Sequence, residues 1–79
     1  MTLTNRERDI IQLLAKGFVQ KEVADHLHIS VQTVKAHLTN ARGRNGARTT
    51  IALVMAARES GMMGHGFTWA WSGLGNGHS

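Results

Sequence analysis

Residues able to hold a charged partner are concentrated between Gln20 and Arg44, in the stretch QKEVADHLHISVQTVKAHLTNARGR. Lys21, Lys35, Arg42 and Arg44 carry fixed positive charge, while Gln32, Thr33 and Thr39 both donate and accept hydrogen bonds. On a helix beginning at Val31, Gln32, Lys35, Ala36, Thr39 and Arg42 share the side opposite the apolar residues. Charge that meets phosphate oxygens, set beside short polar groups that reach base edges, is the chemistry of polyanion recognition. Other chemistries find no support. No Ser/His/Asp set, glycine-rich phosphate loop or paired-carboxylate cleft is present, so an enzyme is not expected. His26, His28 and His37 have no carboxylate or thiolate at ligand spacing, so neither a metal nor any other cofactor is expected. His37 is expected beside the groove-facing residues, bonded to a phosphate or a backbone group.

These side chains need a scaffold, and the hydrophobic pattern supplies an all-α one. A helix over Gln20–Leu27 buries Val23, Ala24 and Leu27. Ser30 then caps a second helix, which buries Val31, Val34, Leu38 and Ala41 in a 3-4-3 row. Small Ala24 lets the two backbones approach at a steep crossing, the arrangement that inserts a helix into a major groove. Upstream, Thr4-Asn5-Arg6-Glu7 reads as a capping box. The helix it opens buries Ile10, Leu13 and Leu14, keeps Ile11 at the edge, and stops at Gly17 in a left-handed conformation. Val19 stands where the next N-cap belongs, at a cost on the order of 1 kcal/mol. After the turn Asn45-Gly46-Ala47-Arg48, Thr49 or Thr50 caps a fourth helix that runs from Ile51 to about Ser60 and closes at Gly61. That helix is apolar most of the way round, so one small core cannot cover it. Leu53, Val54 and Ala57 are expected to face inward, and Ile51, Met55 and Arg58 to face a partner.

Seventy-nine residues make one small domain. A chain of this size buries only roughly 60% of its unfolded surface, which makes oligomerisation an expected support. The net charge of +4 is uneven: residues 35–48 hold Lys35, Arg42, Arg44 and Arg48 with no acid, and residues 61–79 hold no charged residue. Without cysteine there is no disulfide and no thiolate site. No apolar run is long enough to span a bilayer and no signal peptide opens the chain, so a cytoplasmic protein with no membrane partner is expected. Composition divides the chain into residues 1–63, the domain, and residues 64–79, a glycine-rich tail. The tail carries Phe67, Trp69 and Trp71 at a strand-like spacing. These aromatics are expected to dock on the outer side of the fourth helix.

Taken together, Leu3-Thr4, Arg6-Glu7, Leu13-Leu14-Ala15, Gly17, Lys21-Glu22-Val23-Ala24, Leu27, Ile29-Ser30, Thr33-Val34-Lys35, His37-Leu38, Asn40, Gly46, Val54, Ala57 and Gly61 stand in the order and spacing of a known family. The chain resembles the LuxR-type (GerE-like) helix-turn-helix DNA-binding domain over about residues 2–63. The resemblance implies four helices, the third in the major groove of double-stranded DNA and the fourth commonly a dimer contact. It implies a phosphate-binding Thr33, a Lys35 that contacts base and phosphate, variable base-reading positions at Ala36 and Thr39, and a backbone-contacting Lys21. The sequence departs from the family at Asn45 (usually Leu), at Ala41 and Ala47 (usually bulkier aliphatics) and at Thr50 (usually Arg). The family usually joins this domain to a receiver or a small-molecule-binding domain, whereas a stand-alone form is expected here.

The DNA-binding set is therefore Lys21, Gln32, Thr33, Lys35, Ala36, His37, Thr39, Arg42 and Arg44. The homodimer contact is Ile51, Val54, Met55, Arg58 and Met62. The expected activity is sequence-specific transcriptional regulation by a homodimer. Another transcription regulator or RNA polymerase is a further partner class. The alternative is an interaction protein that heterodimerises with a full-length relative and sequesters it.

Overall fold

The computed structural model describes residues 1–61. Met62 and its place in the dimer contact, the boundary after residue 63 and the aromatic tail lie outside the described residues. Four helices follow one another: α1 (Asn5–Ala15), α2 (Gln20–Leu27), α3 (Val31–Asn45) and α4 (Thr50–Glu59). The capping residues set these bounds. Thr4 Oγ1 accepts the Glu7 N–H at 3.1 Å while the Glu7 carboxylate accepts the Thr4 N–H at 2.9 Å, closing the capping box of α1. Ser30 and Thr49 accept the N–H groups of Thr33 and Ala52, each at 3.0 Å, and open α3 and α4. Valine at position 19 does not leave α2 uncapped, because Glu22 reaches back to accept the Val19 N–H at 3.0 Å. Half of a capping box offsets part of the expected cost.

The first three helices end alike. Gly17 donates to Leu14 and Phe18 to Leu13; His28 donates to Asp25 and Ile29 to Ala24; Ala47 donates to Arg42. In each closure one residue turns left-handed, and at α1 and α3 it is glycine, with φ of 104° at Gly17 and 68° at Gly46. At α2 it is His28, with φ of 59°, the one non-glycine residue at positive φ among those described. A side chain with Cβ costs about 1–2 kcal/mol in that region, which glycine's greater unfolded-state entropy offsets by roughly half. His28→Gly should therefore raise stability by about 0.5–1 kcal/mol, seen as a melting temperature a few degrees higher. A lower melting temperature would show that the imidazole contributes more than the backbone loses.

α1 packs against all three other helices, α2 and α3 pack on each other, and α4 lies over α1 and α3. The core is Ile10, Ile11 and Leu13 of α1, Val23 and Ala24 of α2, Val34, Leu38 and Ala41 of α3, and Leu53 and Ala57 of α4. Two α1 residues exchange their expected places: Ile11 is fully buried and Leu14 only half-buried. A helix contacted from three sides buries a wider arc than one stripe, and Leu14 lies in its last turn. Leu27 and Val31 are half-buried beside the turn rather than enclosed.

One carboxylate is also in the core. Glu7 is 2% exposed, and Arg44 meets it with two bonds, 2.7 Å to Oε1 and 3.0 Å to Oε2. Arg44 also donates to the Thr2 carbonyl at 3.1 Å. Asn45 grips the same residue from the other side: its Oδ1 accepts the Thr2 N–H at 2.7 Å, and its Nδ2 donates to the carbonyls of Thr2 at 2.9 Å and Ala41 at 2.8 Å. The amide thus does for Thr2 what a neighbouring strand would do, so a polar residue fits where the resemblance leads one to expect leucine. Hydrogen bonding from Arg44 holds the Glu7 carboxyl below its ordinary 4.5 against the opposing effect of burial, and the Thr4 N–H and the charges of Arg44 and His37 lower it further. A lowered folded-state value gives stability that is fully present above about 4.5 and is lost as pH falls through the folded value. Glu7→Gln should therefore be less stable than wild type at neutral pH and lose less on acidification. Parallel acid melting curves for the two proteins would refute the pairing.

Candidate nucleic-acid interface

The apolar side of α3 is anchored by Val34, Leu38 and Ala41, and this fixes what faces outward. Gln32, Thr33, Lys35, Ala36 and Thr39 are all exposed. The Ser30 hydroxyl lies 2.9 Å from the Thr33 hydroxyl while also accepting the Thr33 N–H. With Ser30 donating, the Thr33 proton is free to turn outward, so the pair can pass a hydrogen bond to an anion. α1 and α2 each have a glutamate in the first turn, but α3 has no acid there. Its N-terminal partial positive charge is therefore left for an outside anion. Lys21 is exposed in the first turn of α2.

Lys35 and Arg42 have no hydrogen bond or ion pair through their side chains among the described residues. Lys35 is exposed and Arg42 half-buried in the last turn, where positive charge also suits the carbonyl end of the helix. Two residues of the expected set lie elsewhere. Arg44, although exposed, has its guanidinium committed to Glu7 and Thr2, because a buried carboxylate needs a paired cation. His37 is half-buried on α3, and at about 100° per residue it lies well round the helix from Gln32, Ala36 and Thr39, off the groove-facing row.

On α4, Ile51 is 75% exposed and Met55 50% exposed, one turn apart. Arg58 is exposed on the following turn, and Val54 is half-buried against the core. A groove on the α2 side is lined by Phe18, Glu22, Asp25 and His26, with Phe18 and His26 in edge-to-face contact at 6.0 Å. Its two carboxylates make it no place for phosphate. Glu7 and Asn45, which tie the far end of α3 to the start of the chain, are the structural residues that helical periodicity did not single out. The capping box was the visible sign of Glu7. Asn45 showed only as a polar residue at an apolar position.

Two helices joined by a three-residue turn, with the second presenting cations and hydroxyls on its exposed face, define a helix-turn-helix domain. The family model for bacterial regulatory proteins of the luxR family matches residues 1–57, which takes in α1 to α3 and most of α4. The chain belongs to that family; its domain is a DNA-binding regulatory one, not an enzyme. Two relatives, both the oxygen regulatory protein NreC of Staphylococcus aureus (strains JH9 and JH1), are 42% identical to it over 52 residues, covering 66% of this chain and 24% of theirs. The chain thus spans about a quarter of the length of the curated relatives it matches. No solved structure matches it. Among the described residues no helix is long and apolar enough to cross a membrane.

Proposed function

We propose that the chain is a transcriptional regulator that binds a two-fold-related double-stranded DNA site as a homodimer, with α3 in the major groove. The observation that carries this reading is the exposed face of α3, where Lys35 has no partner among the described residues and stands behind a Ser30-capped, acid-free N-terminus. Lys35, Ala36 and Thr39 read base edges. Gln32, Thr33, Lys21 and Arg42 bind phosphates and set the register. Arg44 is left out of the phosphate set and given the task of fixing the end of α3. The exposed Ile51 and Met55 supply the apolar centre of the dimer contact, with Val54 and Arg58 at its margin. Binding takes place in the cytoplasm, where a bacterial chromosome lies.

The same α4 face supports a second reading, in which the chain pairs with a longer family member and withholds it from DNA. Selection from a random duplex library with the purified protein separates the two. Enrichment of a motif with two-fold symmetry and half-sites about 10–10.5 base pairs apart supports the homodimer on DNA. No enrichment, together with pairing to a longer family member, supports sequestration.

A further inference from the structure

Gly43 is a costly residue that nothing within the described protein explains. It lies in the third-last position of α3, where glycine is about 0.5–1 kcal/mol less favourable than alanine. Its φ is not positive, unlike those of Gly17, Gly46 and Gly61. A Cβ built on it would meet nothing within 4 Å. Among the described residues neither backbone geometry nor a neighbouring helix requires glycine, which directs attention to what the exposed face of α3 meets.

Its place on α3 shows where on that face it stands. At about 100° per residue, position 43 falls between Gln32, Ala36 and Thr39, on the middle line of the exposed face. It lies eight residues beyond Lys35, roughly 12 Å along the helix axis. The whole of α3, 15 residues, is roughly 22 Å long, whereas the major groove is only about 12 Å wide. A helix seated with Lys35 at the base edges therefore carries Gly43 to the groove wall, where the sugar–phosphate strand passes. We infer that at Gly43 the backbone of α3 packs directly on a DNA sugar–phosphate strand, too closely for any side chain, with Arg42 holding the adjoining phosphate. The inference rests on the DNA-binding reading above. Arg42 is suited to this part: it is the neighbour on the Lys35 side, and its guanidinium has no internal partner among the described residues.

The test separates stability from binding. Gly43→Ala and Gly43→Leu are melted and then titrated, beside wild type, against the duplex that wild type selects. Both variants should melt at or above the wild-type temperature, since each replaces a helical glycine by a better helix former. Affinity should nevertheless fall with side-chain size, a few-fold for alanine and about tenfold or more for leucine, as the helix is pushed off contacts worth roughly a factor of ten each. Undiminished affinity of Gly43→Leu overturns the inference, and so does a lowered melting temperature for Gly43→Ala, which would reveal an internal role. A wild-type chain that selects no duplex sinks the DNA-binding reading, and this inference with it. Wild-type binding matched by an equally tight Gly43→Leu variant sinks this inference alone.

Discussion

Lys35→Ala should bind the selected duplex roughly 5- to 150-fold more weakly than wild type, the equivalent of about 1–3 kcal/mol for a lysine set on a guanine edge. Stability should scarcely change. Lys35 is exposed and has no ion-pair partner among the described residues, and an exposed substitution of this kind usually moves stability by less than about 0.5 kcal/mol. Truncation removes an intermolecular contact and, among the described residues, no intramolecular bond, so binding and stability should separate. The loss should also depend on sequence: large on the selected site and small on unrelated duplex, where only phosphate contacts remain. A Lys35→Ala protein that melts like wild type and binds the selected site equally well at physiological salt would take α3 out of the readout.

Met55→Glu should give a folded monomer. Met55 is 50% exposed and Ile51, one turn before it, 75% exposed, so a carboxylate at position 55 remains in water in the single chain. In a dimer closed over that face, the same carboxylate would be buried without a partner, which association does not tolerate. Two recognition helices acting together gain on the order of 10² to 10⁴ over one by effective concentration, and the variant should lose most of that factor on a two-fold site. Sedimentation decides the matter: a folded Met55→Glu protein that still sediments as a dimer would move the contact off α4.

How much of this was legible in the sequence depends on the reach of each signal. Local signals were plain. Thr4 with Glu7, Ser30 before Val31, a threonine at 49 or 50, and Gly17 and Gly46 each act within one turn of helix and marked the ends of α1, α3 and α4, while α2 showed only in the spacing of Val23, Ala24 and Leu27. The row Val34, Leu38 and Ala41 likewise fixed which side of α3 faces the core, and hence that Lys35, Ala36 and Thr39 face outward. The Glu7–Arg44 pair spans 37 residues, and no local rule joins its two ends. Read locally, Arg44 was one more cation beside Arg42, and Glu7 only a cap. Asn45 was misleading for the same reason, since its partner Thr2 lies 43 residues away. His28 hid its left-handed backbone because histidine, unlike glycine, does not advertise one. The exchange between Ile11 and Leu14 depended on how many helices cover α1, a property of the whole assembly and not of any window along it.

The central claim, that the outer face of α3 lies in the major groove, is tested most directly by methylation interference on the selected duplex. Guanine N7 lies in the major groove and adenine N3 in the minor, so dimethyl sulfate marks the two faces separately. With α3 seated as proposed, methylation at N7 of guanines in both half-sites should block binding, and Lys35→Ala should lose its sensitivity at one guanine in each. Interference confined to adenine N3, or a Lys35→Ala pattern identical to wild type, would contradict it.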